Sequence, residues 1–285
     1  MSLFITSLNS GSNGNCYYIG NDTEAVLIDA GISCREIEKR MQLLGLSMKK
    51  VKAVFISHEH IDHIKGMPVL CEKYDLPVYI TGITLTHSRI SIKQQLPKIF
   101  KAYEPIHVGS LVITAFPKNH DAEDPHSFII TFNDLTVGVF TDIGSACSHV
   151  TSQFSKCHAA FLEANYDEVL LENGRYPFYL KNRIRGGKGH LSNKQALEIF
   201  LTHRPSFMTH LLLSHLSKDN NHPDLAKKLF EEHAANTSII VASRYEQTPV
   251  YTIQHNELPL REVKKRKVAL NLMQLSLFEQ VNSEW

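Results

Sequence analysis

The chain has 285 residues, 43% hydrophobic and 21% charged, and a formal net charge of +1. This is the balance of a soluble globular protein with ample core, and it excludes a global field that would draw the chain to nucleic acid; such affinity must come from local patches. No apolar run is long enough to span a bilayer, residues 1–6 lack the basic start and apolar core of a signal peptide, and five scattered cysteines (Cys16, Cys34, Cys71, Cys147, Cys157) imply reduced thiols in a cytoplasmic setting.

Residues 3–8 predict a first strand, followed by a turn-rich segment over 9–15. Residues 16–20 and 24–28 predict a hairpin closed at Asn21-Asp22. The second arm ends in Asp29-Ala30-Gly31, and Ser33 is the expected N-cap of a helix reaching about Leu44. Residues 51–56, mostly β-formers, predict a buried strand. Directly after it stands Ser57-His58-Glu59-His60-Ile61-Asp62-His63. At a strand end, residues two apart point the same way, so His58 and His60 can converge on one point. Asp62 and His63 follow where the chain turns into a predicted helix over 64–74 and can face a second point. Imidazoles and a carboxylate at this density suit zinc, manganese or iron. The bland alternative is a solvated turn rich in histidine.

A short strand over 78–80 and a mixed, partly helical segment over 81–101 come next. Strands are expected over 111–116, 127–132 and 135–140, separated by a loop over 118–125 and a turn at Asn133-Asp134. The second half alternates: strand 159–162, a helix, a glycine-rich basic loop, helix 192–203, strand 210–213, helix 223–234 and strand 238–242. A β-rich first half and an α/β second half imply an α+β fold of two sheets packed face to face, helices outside. One domain is expected over 1–260. Residues 261–285 form a charged linker, Arg261-Glu262-Val263-Lys264-Lys265-Arg266-Lys267, and a short apolar tail.

Three more candidate ligands sit at predicted strand ends. His120 follows the strand 111–116, Asp142 ends 135–140, and His215 ends 210–213. Any one alone is more often a surface residue, and Asp142 could cap a helix. With the first cluster they make a set.

That set resembles the metallo-β-lactamase-fold hydrolase superfamily over about residues 3–255. Asp29 resembles its first motif and His58-Glu59-His60-Ile61-Asp62-His63 its second. His120, Asp142 and His215 resemble the third, fourth and fifth. The resemblance implies a four-layer αββα sandwich of two mixed sheets. It also implies two divalent ions, Zn2+ or Mn2+, one held by His58, His60 and His120 and the other by Asp62, His63 and His215. Asp142 would bridge them, and Asp29 would orient a histidine ligand from behind.

Within the superfamily, the loop Ser10-Gly11-Ser12-Asn13-Gly14-Asn15 resembles the YycJ/WalJ-like exonuclease branch and related phosphodiesterases, as do His120-Asp121-Ala122 and Gly189-His190-Leu191-Ser192. That implies substrate contacts from Asn13 and Asn15, and a His190 that protonates the leaving oxygen. The alternative for His190 is a helix-start histidine ahead of the N-cap candidate Ser192. Only 47 residues lie between Asp142 and His190, too few for the inserted cap domain of β-CASP nucleases. Nothing resembles the long arm of the tRNA 3′-processing branch.

The implied chemistry is phosphodiester hydrolysis. A metal pair activates water at neutral pH, Asp62 orients it for in-line attack, and His190 acts as general acid. The expected substrate is nucleic acid, DNA favoured, and the expected activity a 5′-to-3′ exonuclease of DNA repair. The alternatives are hydrolysis of a small thioester, lactone or cyclic phosphodiester and, from another class, metal binding without turnover. Lys181, Arg183, Arg185 and Lys188, interleaved with Tyr176, Phe178 and Tyr179, fit phosphate contact plus base stacking. A generic surface loop is the alternative. The ten other histidines are expected to be structural or on the surface, His126 being the nearest to the cluster.

In the tail, Gln274, Leu275, Leu277 and Phe278 resemble the pentapeptide by which bacterial replication and repair proteins bind the sliding clamp. A terminal helix is the alternative, because Leu270, Met273, Leu277 and Val281 recur at roughly helical spacing.

Overall fold

The computed structural model describes residues 2–255. Gln274, Leu275, Leu277 and Phe278 lie outside the described residues. In chain order the strands of the first half are β1 (Leu3–Asn9), β2 (Cys16–Gly20), β3 (Ala25–Ile28), β4 (Val51–Phe55), β5 (Val78–Ile80) and β6 (Pro97–Ile99). Its helices are α1 (Cys34–Leu43), α2 (Ile61–Ile64), α3 (Met67–Tyr74) and α4 (Gly82–Ser88). The second half carries β7 (Pro105–Val108), β8 (Leu111–Pro117), β9 (His126–Phe132), β10 (Leu135–Phe140), β11 (Ala159–Glu163), β12 (His210–Ser214) and β13 (Ser238–Val241). With them run α5 (Ser148–Phe154), α6 (Glu168–Asn173), α7 (Phe178–Arg185), α8 (Asn193–His203) and α9 (Pro223–Glu231), and β14 (Tyr251–Ile253) closes the series.

The strands form two seven-stranded sheets, in the orders β14-β1-β2-β3-β4-β5-β6 and β13-β12-β11-β10-β9-β8-β7. Each is antiparallel at one end and parallel at the other: β3 to β6 pair in parallel, as do β10 to β13. Three apolar layers result. Leu3, Ile5, Ile19 and Phe55 meet Ile113, Phe128, Phe161 and Leu212 between the sheets. Leu27 and Val54 pack under Ile37, Met41 and Leu70 on one outer face. Phe140 and Leu213 pack under Phe154, Phe200 and Phe230 on the other. A sheet buried on both faces requires runs such as Ala-Val-Leu-Ile in β3 and His-Leu-Leu-Leu-Ser in β12. The architecture is the αββα sandwich.

Local differences from expectation have local causes. The helix expected over 64–74 is two, α2 and α3, parted at Gly66, where a Cβ would meet Ile32 O at 1.9 Å. Asp62 and His63 therefore lie inside a helical turn. Asp142 does not cap a helix; the N-cap of α5 is Cys147. The basic segment expected as a loop folds as α7, capped at Pro177, and the glycines come only after it. No helix among the described residues is long and apolar enough to cross a membrane.

Candidate metal centre

The chemistry-bearing residues stand where strands end. Asp29 follows β3, Ser57 and His58 follow β4, Asp142 follows β10 and His215 follows β12. Asp29, Asp142 and His215 have φ of 61°, 55° and 57°. That left-handed conformation is tolerated best by Asn, Asp and His among residues with a Cβ, and it turns the chain sharply off each strand. The loop from Ser57 is sewn to its neighbours: His63 O accepts from Ala30 N at 2.8 Å and Asp62 O from Asn15 N at 2.7 Å. Gly31 allows this close approach, because a Cβ there would lie 1.6 Å from Asp62 O.

Four overlapping donor groups, each with its atoms within 4.8 Å of one another, occur among the described residues. His58, His60 and His120 form one; His58, His63 and Asp142 a second; His120, Asp142 and His190 a third; Asp142, Glu163 and His215 a fourth. Asp142 is common to three of them. Its Oδ2 is 3.1 Å from His63 Nε2 and 3.0 Å from His215 Nδ1, and its Oδ1 is 3.8 Å from His120 Nε2. Asp62 Oδ2 lies 3.6 Å from His63 Nε2 and 4.0 Å from His215 Nε2. The floor of the site, His58, His63, Asp142 and His215, is buried. Its rim, His60, Asp62, Asp121 and His190, is partly exposed.

This donor set fits divalent cations. His120 Nε2 and Asp121 Oδ1 are buried 3.3 Å apart, yet neither has a hydrogen-bond partner; such orphaned atoms are costly unless a cation takes them. Burial keeps the imidazoles of His58 and His120 neutral, His120 being pushed down to about 2, and neutral imidazole is the ligating form. Burial opposes ionisation of Asp142, but His215 and His63 outweigh it and hold the carboxyl well below its usual range.

Partners behind the donors fix their tautomers. Asp29 Oδ2 accepts from His63 Nδ1 at 2.7 Å, and Asp29 also accepts from Ser57 N and Ser57 Oγ at 2.8 and 2.9 Å. His120 Nδ1 donates to Gly189 O at 3.0 Å. Gly189 is required by its turn, since a Cβ would sit 2.1 Å from Ile184 O. The same turn delivers His190, whose N donates to Ile184 O and whose Nδ1 donates to Glu163 Oε1 at 2.7 Å. Burial alone would lower the His190 pKa, but the Glu163 carboxylate, helped by Asp142 and Asp121, pushes it up to about 9. The pairing with Glu163 thus favours the imidazolium, the form that can donate a proton.

The sequence-level candidates Asp29, His58, His60, Asp62, His63, His120, Asp142, His190 and His215 all come together here. Asn15 reaches the site from beneath: it is fully buried, and its amide donates to Asp62 Oδ2 at 3.2 Å and lies 3.1 Å from His63 Nε2. Asn13 is exposed and donates to Arg244 O at 2.8 Å. Three of the four basic residues are engaged within the chain: Lys181 with Glu172 O, Arg183 with Asp121 at 2.5 Å, and Arg185 with Glu172 at 2.9 Å. His126 joins none of the donor groups and packs edge-on against Phe100. Glu163 went unread in the sequence although it ends β11 as Asp142 follows β10. A carboxylate closing a buried parallel strand was the available signal.

A sequence profile of the metallo-β-lactamase superfamily matches residues 10–155. The chain belongs to that superfamily. Among curated relatives, exodeoxyribonuclease YycJ of Bacillus anthracis is 34% identical over 230 residues, covering 80% of this chain and 87% of the relative. Exodeoxyribonuclease WalJ of Streptococcus pneumoniae serotype 2 is 29% identical over 262 residues, covering 90% and 96%. Among solved structures, the metallo-β-lactamase fold protein YhfI from Bacillus subtilis superposes with a TM-score of 0.65 at 20% identity, over 88% of this chain and 99% of that one. Zn2+-bound PqqB from Methylobacterium extorquens gives 0.66 at 14% identity, over the same shares. At those identities the two structures speak for the fold alone. The superfamily assignment and the donor cluster make the chain a metal-dependent hydrolase.

Proposed function

We propose that this protein is a dinuclear-metal nuclease that degrades DNA from a 5′ end in DNA repair. His58, His60 and His120 would hold one ion and Asp62, His63 and His215 the other, with Asp142 between them; Zn2+ and Mn2+ both suit these donors. When bound, the pair supplies a water-derived nucleophile at neutral pH and positive charge against the phosphate oxygens. Asp62, held by Asn15, orients the nucleophile. His190 delivers a proton to the departing sugar oxygen, and Glu163 keeps that proton in place and the ring in register.

The observation that carries this reading is the Glu163–His190 pair at 2.7 Å on the open rim of the donor cluster. An alkoxide is a poor leaving group and needs a general acid; a thiolate needs none. The relatives named exodeoxyribonucleases support the choice of DNA, as does helix α7, whose Phe178 and Tyr179 are 71% and 74% exposed beside the basic residues. Exposed ion pairs of this kind stabilise little, so phosphates can displace them.

The test is a panel of 5′- and 3′-labelled single- and double-stranded DNA and RNA, with Zn2+ or Mn2+, beside a thioester. DNA shortened from the 5′ end is the expected result; turnover of the thioester alone overturns the reading. In the same panel, replacing Lys181, Arg183, Arg185 and Lys188 with Ala should weaken DNA binding and flatten its salt dependence by about 0.7–0.9 per lost phosphate contact. An unchanged slope would return α7 to a merely structural role.

The tail extends the proposal to a partner. Leu275, Leu277 and Phe278 would supply apolar anchors for a preformed groove on the sliding clamp, with Gln274 as the polar member of the motif, and tethering there would raise the local concentration of enzyme on DNA. Calorimetric titration of purified clamp should give binding with the intact protein and none with Leu277→Ala/Phe278→Ala. Equal binding by both proteins would remove the tail from the interaction.

A further inference from the structure

Beside the centre lies a cavity of about 490 Å3 that the chemistry described so far leaves unused. None of the candidate ligands lines it, and it is tied to the donor cluster through Ser10. Ser10 lines it, and Ser10 Oγ accepts from His215 N at 2.7 Å; Leu216, next in the chain, lines it as well. Across it stand Arg244, Lys218 and Tyr245. Arg244 lies along the loop after β1, with Nη2 donating to Ser12 Oγ at 3.0 Å and to Asn13 Oδ1 at 3.4 Å. Its Nη1 is buried and makes no hydrogen bond.

A guanidinium nitrogen shielded from water and left unpaired is costly. Among the described residues no carboxylate pairs with Arg244 or with the exposed Lys218. The single carboxylate of the lining belongs to Glu246, an exposed residue whose backbone N–H donates to Ser243 Oγ at 3.3 Å. The cradle is also braced. Arg40 bonds Leu8 O and Asn9 Oδ1, both at 2.7 Å, and Tyr245 O at 3.0 Å, so the two loops are held to each other before anything binds. Gly11 supplies the φ of +141° in the first loop where it runs beside Arg244.

We propose that Arg244 and Lys218 form a subsite for a phosphate group of the nucleic-acid strand, next to the phosphate being cleaved. The proposal rests on the nuclease reading and adds to it how the strand is held in register. A guanidinium presents paired donors to phosphate oxygens, and Lys218 adds a point charge. Tyr245, 71% exposed at the rim, offers a ring face to the adjoining base. Because the subsite adjoins His215, a phosphate bound there fixes which neighbouring linkage lies over the donor cluster.

The test is a scan of single-stranded oligonucleotides, each with one linkage neutralised as a methylphosphonate, cleaved by metal-loaded wild-type enzyme and by Arg244→Gln. In the wild type, one linkage beside the scissile bond should raise KM about tenfold when neutralised, the scale of a lost charged hydrogen bond. In Arg244→Gln that same linkage should cost almost nothing more, so the two losses do not add. If every linkage carries the same penalty in both proteins, the subsite is wrong, including the case in which the substitution merely disturbs the loop. If the wild type cleaves no oligonucleotide but turns over a thioester, the nuclease reading fails first and the subsite with it.

Discussion

Asp142→Asn protein should purify without its full complement of divalent metal and lose activity on the order of 10⁴-fold or more, the scale seen when a catalytic unit is dismantled. The expectation follows from position. Asp142 Oδ2 stands 3.0–3.1 Å from His215 and His63, while Oδ1 faces His120, so one carboxylate joins donors on both sides of the cluster. Asparagine is the informative substitution because it keeps the size and accepts the left-handed backbone at φ 55°; alanine would add backbone strain to the loss of charge. Asp29→Asn gives the graded control. Asp29 touches no cation site directly but accepts from His63 Nδ1 at 2.7 Å, and loss of such an orienting partner costs roughly 10–100-fold in metal affinity. Metal analysis together with turnover checks both. Two full equivalents in Asp142→Asn would overturn the central placement of Asp142.

The donor set was legible because its members follow a local rule: polar residues capable of ligation at the ends of apolar strands. His58, His60, Asp142 and His215 obey it closely, while Asp62 and His63 sit in the helical turn that follows β4 and His120 in the loop after β8; the sheets place those ends side by side. Glu163 obeys it too, but its strand was expected to stop at Leu162, and no other polar residue drew attention to it. The edges of the sheets were less legible. β6 and β7 begin at Pro97 and Pro105, and β14 pairs Ile253 with Leu3, some 250 positions away. Short segments like these become strands only because a partner strand is waiting, which no window of sequence contains. Helix α7 was hidden for a related reason. Gly186, Gly187 and Gly189 announce a loop, while the helix before them is braced by Glu172 and Asp121, contacts made through the tertiary fold.

His190→Ala should separate proton delivery from metal binding. Its Nδ1 is committed to Glu163, and its ring lies 5.3 Å from those of His120 and His215 on the exposed rim, so the ring can reach a substrate oxygen without being needed to fill the floor. Turnover of DNA should fall by roughly 10²–10⁴-fold, the contribution of a general acid, while bound metal stays at the wild-type level. A nitrophenyl phosphodiester leaves as a stabilised phenolate and needs no proton, so its hydrolysis should largely escape the loss. Glu163→Gln tests the same pair from the other side. It removes the carboxylate that most strongly holds the His190 proton, so the alkaline limb of the DNA rate profile should move to lower pH. The sign is set by the raised pKa: the acid form persists up to that value and is lost above it, and weakening its partner brings the loss earlier. Equal damage to DNA and to the nitrophenyl ester in His190→Ala, or an unmoved limb in Glu163→Gln, would show that His190 holds the site together instead of delivering the proton.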